Sequence, residues 1–67
     1  MENKEIIGQV FDIATQKNAG TFSRIETHKG TKYELKIGDK IETFDTLSTF
    51  ADRFIELVKN DLIIVKE

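Results

Sequence analysis

Acid–base or nucleophilic chemistry in this sequence would have to start from His28, a few hydroxyl side chains and twelve carboxylates, because there is no cysteine and no second histidine. Histidine is the side chain best suited to proton transfer near neutral pH. A nucleophile for it would be Ser23, Ser48 or a threonine, and none of these stands in a G-x-S-x-G elbow. His28 sits beside Lys29-Gly30, which is turn chemistry, so an exposed turn histidine is the plain reading. Paired carboxylates could work on a glycosidic bond, but nearly all twelve fall on polar faces, and a chain of 67 residues offers little concave volume to hold them apart from water. Gly8, Gly20, Gly30 and Gly38 are scattered, and neither G-x-G-x-x-G nor G-x-x-x-x-G-K-[ST] occurs. These glycines read as turn or helix-end residues, with Gly8 lacking a role. A lone histidine without thiols also argues against a structural metal. The residues therefore predict no enzyme, no cofactor and no metal.

What remains is binding, and the charge distribution bears on it more than the net value of −2 does. Residues 16–40 carry Lys17, Arg24, Lys29, Lys32, Lys36 and Lys40 against Glu26, Glu34 and Asp39, a local +3 between two acidic flanks. A basic stretch of this kind could meet phosphate. The candidate interaction residues are accordingly Arg24, His28, Lys29, Lys32, Lys36 and Lys40.

The elements that must position these residues come from periodicity. At 100° steps, Ile6, Ile7, Val10, Phe11, Ile13 and Ala14 share one arc, with Glu5, Gly8, Gln9, Asp12, Thr15 and Gln16 opposite. Asn3 would cap a helix over residues 4–17, and Lys17, Asn18 and Gly20 would end it. Gly8 and the β-branched Ile-Ile-Val content work against a helix, and the alternative is an additional strand. From Thr21 to Asp45, short runs broken by Lys29-Gly30 and Gly38-Asp39 predict a three-strand meander. Thr31, Tyr33, Leu35 and Ile37 share one face of its middle strand, and Lys32, Glu34 and Lys36 the other. Ile25 against Phe22, and Ile41 against Phe44, fall on opposite parities, for which a bulge or a three-residue turn is expected. Asp45 or Thr46 caps a helix to Lys59, with Leu47, Phe50, Ala51, Phe54, Ile55, Leu57 and Val58 as its buried stripe, and Asn60 as a left-handed stop. Leu62-Ile63-Ile64-Val65 reads as a final strand. It would either join the meander's edge or make a homodimer by pairing with a second copy.

The expected fold is thus α+β: one domain over residues 1–67, in the order α-β-β-β-α-β, with a three- to four-stranded antiparallel sheet packed on two helices. If the first segment is a strand, the order is ββββα. So short a chain hides only about 60% of the surface that its unfolded form exposes. The start Met-Glu-Asn-Lys-Glu leads into no signal-like apolar core, and the longest apolar run, Leu62–Val65, is far short of the roughly 20 residues of a membrane helix. With the lack of thiols, this predicts a cytoplasmic protein that meets no membrane.

Two resemblances follow from the expected order. Helix, three strands and helix is similar to the double-stranded-RNA-binding fold, with His28-Lys29-Gly30 in the corresponding first hairpin loop. That family has a lysine-rich start to its last helix, where this sequence has Asp45-Thr46-Leu47-Ser48-Thr49 and then Asp52. The size, the Lys, Ile, Asn and Glu usage and the element order over residues 3–60 also look like the accessory proteins of phages and mobile elements, some anti-CRISPR proteins among them. That second resemblance implies a non-catalytic module that binds and modulates a host protein such as a nuclease, by a mixed polar and apolar interface. Nucleic-acid binding through the basic meander is the alternative.

Overall fold

A computed structural model describes residues 3–66; Met1, Glu2 and Glu67, which enter the charge count above, lie outside it. Five strands and one helix follow in the order β1 (Asn3–Asp12), β2 (Lys17–Thr27), β3 (Gly30–Ile37), β4 (Lys40–Phe44), α1 (Leu47–Lys59) and β5 (Leu62–Lys66). All strand pairs are antiparallel and the sheet order is β4-β3-β2-β1-β5. The α+β class expected from the sequence holds, but the two helices expected do not. Residues 3–12 form a strand, the alternative for this segment, and the sheet has five strands rather than three or four. With the first helix gone, the element order no longer matches the double-stranded-RNA-binding arrangement, nor the α-β-β-β-α layout on which the likeness to phage accessory and anti-CRISPR proteins partly rested.

The reason lies in two bulges. Ile6 pairs with Ser23 and Gly8 with Phe22, so Ile7 is an extra residue in β1; Val10 pairs with Gly20 and Phe11 with Asn18, so Ala19 is an extra residue in β2. Each insertion moves the following side chains to the other face. Ile7 and Val10 consequently share one side with Gly8, and the i, i+3 step from Ile7 to Val10 counts on paper as a helical spacing. The segment ends in a turn: Asp12 Oδ1 accepts the amides of Ala14 (2.9 Å) and Thr15 (3.2 Å), and Gln16 takes φ 58°. β-branched Ile6, Ile7, Val10 and Ile13 favour this extended route.

No bulge reconciles Phe22 with Ile25 or Phe44 with Ile41, contrary to expectation. The register is regular there, and Phe22 and Phe44 point to one face while Ile25 and Ile41 point to the other. The middle strand behaves as expected, and the two-residue turns His28-Lys29 and Gly38-Asp39 join β2 to β3 and β3 to β4. Gly20 and Gly8 are neither turn nor helix-end residues. A Cβ on Gly20 would lie 1.7 Å from the Lys36 carbonyl oxygen, and one on Gly8 would lie 2.8 Å from Ile64 Cγ2. Both are required by close approach of neighbouring strands.

α1 begins beside β4 and delivers the chain to β5 on the opposite edge, so it crosses one face of the sheet. Thr46 caps it, its side chain accepting the Thr49 amide at 3.1 Å. Asn60 is not the left-handed residue; it donates its side-chain amide to the Glu56 carbonyl (2.9 Å), and Asp61 takes φ 63° instead. Val10, Phe22, Leu35, Phe44, Phe50 and Leu57 form the core under the helix. Phe50 stacks on Phe22 (4.4 Å between ring centres) and meets Phe44 edge-on (5.4 Å). β5 joins the sheet through β1, so Leu62 to Val65 are used within the chain.

Candidate functional site

Because side chains alternate across a sheet, the register sorts every strand residue onto the helix-covered face or the open one. Leu35, Tyr33 and Ile37 of β3 lie with Phe22 and Phe44 under or beside the helix. The open face carries Ile41 and Thr43 of β4, Lys32, Glu34 and Lys36 of β3, Asn18, Thr21, Ser23 and Ile25 of β2, Lys4, Ile6, Gln9 and Phe11 of β1, and Ile63 and Val65 of β5. Three lysines against one glutamate make this face cationic on a chain whose net charge is −2.

The six predicted interaction residues do not come together. Lys32 and Lys36 share the open face, separated by about 13 Å of strand. Arg24 is on the other side, where Glu5 (3.3 Å) and Glu26 (3.7 Å) hold it. His28 and Lys29 form the β2–β3 hairpin tip, where the Lys29 amide donates to Thr27 Oγ1 (3.1 Å). Lys40 opens β4 next to the Gly38-Asp39 turn, opposite Ile37 on the helix side. Lys4, expected at a helix end, belongs with Lys32 and Lys36 on the open face. Its Nζ reaches across β2 to Glu34 Oε1 at 2.6 Å. A row of alternating lysines in β3 was legible; its partner on β1 required knowing that β1 is a strand. Phe22 and Tyr33 stack inside the helix side (5.9 Å), and Phe44 is buried there, so Phe11 is the aromatic residue of the open face among those described.

The second surface is the outer side of α1. Of the seven apolar residues expected to be buried, only Phe50 and Leu57 are. Leu47 (55% exposed), Phe54 (36%), Ile55 (55%) and Val58 (46%), with the exposed Ala51, follow one another at helical spacing along an uncovered arc. The apolar arc of α1 is about 160° wide at 100° per residue, and a single sheet covers only part of it. Beside β4, Arg53 Nε donates to both carboxylate oxygens of Glu42 at 3.1 Å, and its Nη1 donates to Glu56 at 2.9 Å. The hydrogen bond to Glu42 raises the guanidinium pKa above its ordinary value. With Phe50 and Leu57 packed on the sheet, Leu47, Ala51, Ile55 and Val58 are turned away from it.

Among the described residues, no group of three or more His, Asp or Glu side chains is placed to hold a metal, and no helix is long and apolar enough to cross a membrane. Comparison with protein-family models, with curated proteins and with solved structures gives no match to this chain.

Proposed function

We propose that this chain is a non-catalytic interaction module that binds a protein partner through the outer face of α1. The observation that carries the reading is the uncovered stripe of Leu47, Ala51, Phe54, Ile55 and Val58, rimmed by Ser48, Asp52 and Lys59. Single exposed apolar residues are ordinary, whereas a contiguous set with an aromatic member and a polar rim has the anatomy of an interface core. A helix presenting residues at i, i+4, i+7, i+8 and i+11 is also the form in which helices enter partner grooves. Regulation of a host enzyme, in the manner of the phage accessory proteins that the sequence resembles in size and composition, is the role we assign to that contact. It calls for no reacting group.

Two double variants test this. I55D/V58D changes only exposed positions of the helix, and K32E/K36E changes only the open face of the sheet. Both should retain the wild-type circular dichroism spectrum. A host protein captured by the wild type is lost by I55D/V58D and kept by K32E/K36E. The reverse pattern overturns the proposal, as does sedimentation of the wild type as a dimer that I55D/V58D dissolves, which would make the stripe a self-association surface.

A further inference from the structure

The open face of the sheet is not flat. Its central strand carries short side chains, Asn18, Thr21 and Ser23, between the longer Lys36 and Glu34 of β3 and the longer Lys4 and Ile6 of β1. Side chains stand roughly perpendicular to a sheet, so a row of short ones between long ones makes a trough. The trough measures about 460 Å³ and has Lys4, Ile6, Asn18, Thr21, Ser23 and Lys36 in its walls. This lies within the roughly 300–1,000 Å³ of small-ligand sites.

Its walls also include Ala19, Gly20 and Gly38, and its polar groups are weighted toward donors. Ser23 is completely buried and its Oγ has no hydrogen-bond partner, the one such side-chain atom among the described residues. A buried hydroxyl without a partner is destabilising, and alanine or valine would fit a strand interior at no such cost. Among the described residues, Lys36 makes no ion pair and Thr21 Oγ1 makes no side-chain hydrogen bond. Asn18 donates one amide hydrogen to Gln9 Oε1 at 2.8 Å and keeps the other. Glu34, the carboxylate opposite Ser23 on this face, is held by Lys4. One ammonium group without an ion pair, a second shared with Glu34, two hydroxyls and an amide thus line one space.

We infer that this trough is a binding site for a dianionic phosphoryl group. A tetrahedral phosphoryl group offers three acceptor oxygens and up to two charges, which matches separate donors on three strands better than the two coplanar oxygens of a carboxylate do. The Lys4–Glu34 pair passes over β2 beside Ser23, because Lys4 pairs with Ile25 and Glu34 with Ser23. Lys4, half-exposed and with three N–H donors, keeps one on Glu34 and turns another to the incoming anion, which lets the Ser23 hydroxyl beside it donate as well. The site is independent of the helix stripe, and neither depends on the other being right.

Amide chemical-shift titration of the full chain tests the site, with inorganic phosphate as the first probe and sodium chloride of equal ionic strength as its control. The expected result is saturable movement of Thr21, Ser23 and Lys36 that chloride does not reproduce. S23A and K36Q should each weaken it by about tenfold or more, as expected for loss of a hydrogen bond to a charged group. S23A should fold at least as stably as the wild type, which keeps the loss of binding interpretable. A nucleoside monophosphate that moves the same residues also supports the site and identifies a nucleotide as the carrier of the phosphoryl group. Movement shared with chloride, binding unchanged in both variants, or a response only to an oligonucleotide without terminal phosphate would overturn it.

Discussion

The two faces of this sheet are made by the same strands and do opposite things. On the helix side, Val10, Phe22, Leu35 and Phe44 close against Phe50 and Leu57, and three of these six are essentially inaccessible. On the open side the same strands present Lys4, Lys32, Lys36, Thr21 and Asn18 around a trough, with Ile6, Ile41 and Val65 about half-exposed. Stability is concentrated on one side, and the features that could recognise something lie on surfaces where substitution leaves the fold intact. The helix repeats the contrast on its own circumference, since Leu57 is 1% exposed and Ile55, two residues away, is 55% exposed.

Substitutions that ignore this division should have the largest effect. Gly20→Val places atoms where the Lys36 carbonyl stands, so β2 and β3 cannot pair there. It should abolish the cooperative thermal transition, and a folded Gly20→Val protein would show that the two strands can separate without cost to the core. Next comes the contrast along α1. Leu57→Ala should cost about 2–5 kcal/mol in urea unfolding, a large part of the roughly 3–10 kcal/mol available to a domain this size. Ile55→Ala should stay within about 0.5 kcal/mol. Equal losses at the two positions would mean that the outer stripe is packed against something, and the comparison between the two sides of the helix would fail.

How much of this could be read from the amino acids differs by element, for physical reasons. β3 alternates cleanly because neither bulge touches it, and its turns and the Thr46 cap are local chemistry. β1 could not be recognised from periodicity, because the bulge at Ile7 breaks the two-residue alternation and puts Ile7, Gly8 and Val10 together. Its clearest local sign was the Asp12 turn, whose side chain caps two amides in the middle of the expected helix. Gly8 and Gly20 have no visible purpose in one dimension, since what they accommodate is the Ile64 side chain and Val65 carbonyl of β5 and the backbone of β3. The apolar stripe of α1 is visible in the sequence but is buried less than expected, because with one helix instead of two no described element lies on its far side. Of the basic residues, Lys32 and Lys36 were placed on a common face correctly. Arg24 was not separated from them because its carboxylate partners Glu5 and Glu26 come from two strands, one of which had been taken for a helix.

Whether the outer face of α1 or the open sheet meets the protein partner can be read by mapping amide chemical-shift changes on the full chain as the captured partner is added. Changes should concentrate at Leu47, Ala51, Phe54, Ile55 and Val58, with Thr21, Lys32 and Lys36 unmoved. Changes concentrated on the strand residues, with the helix silent, would contradict a contact through α1.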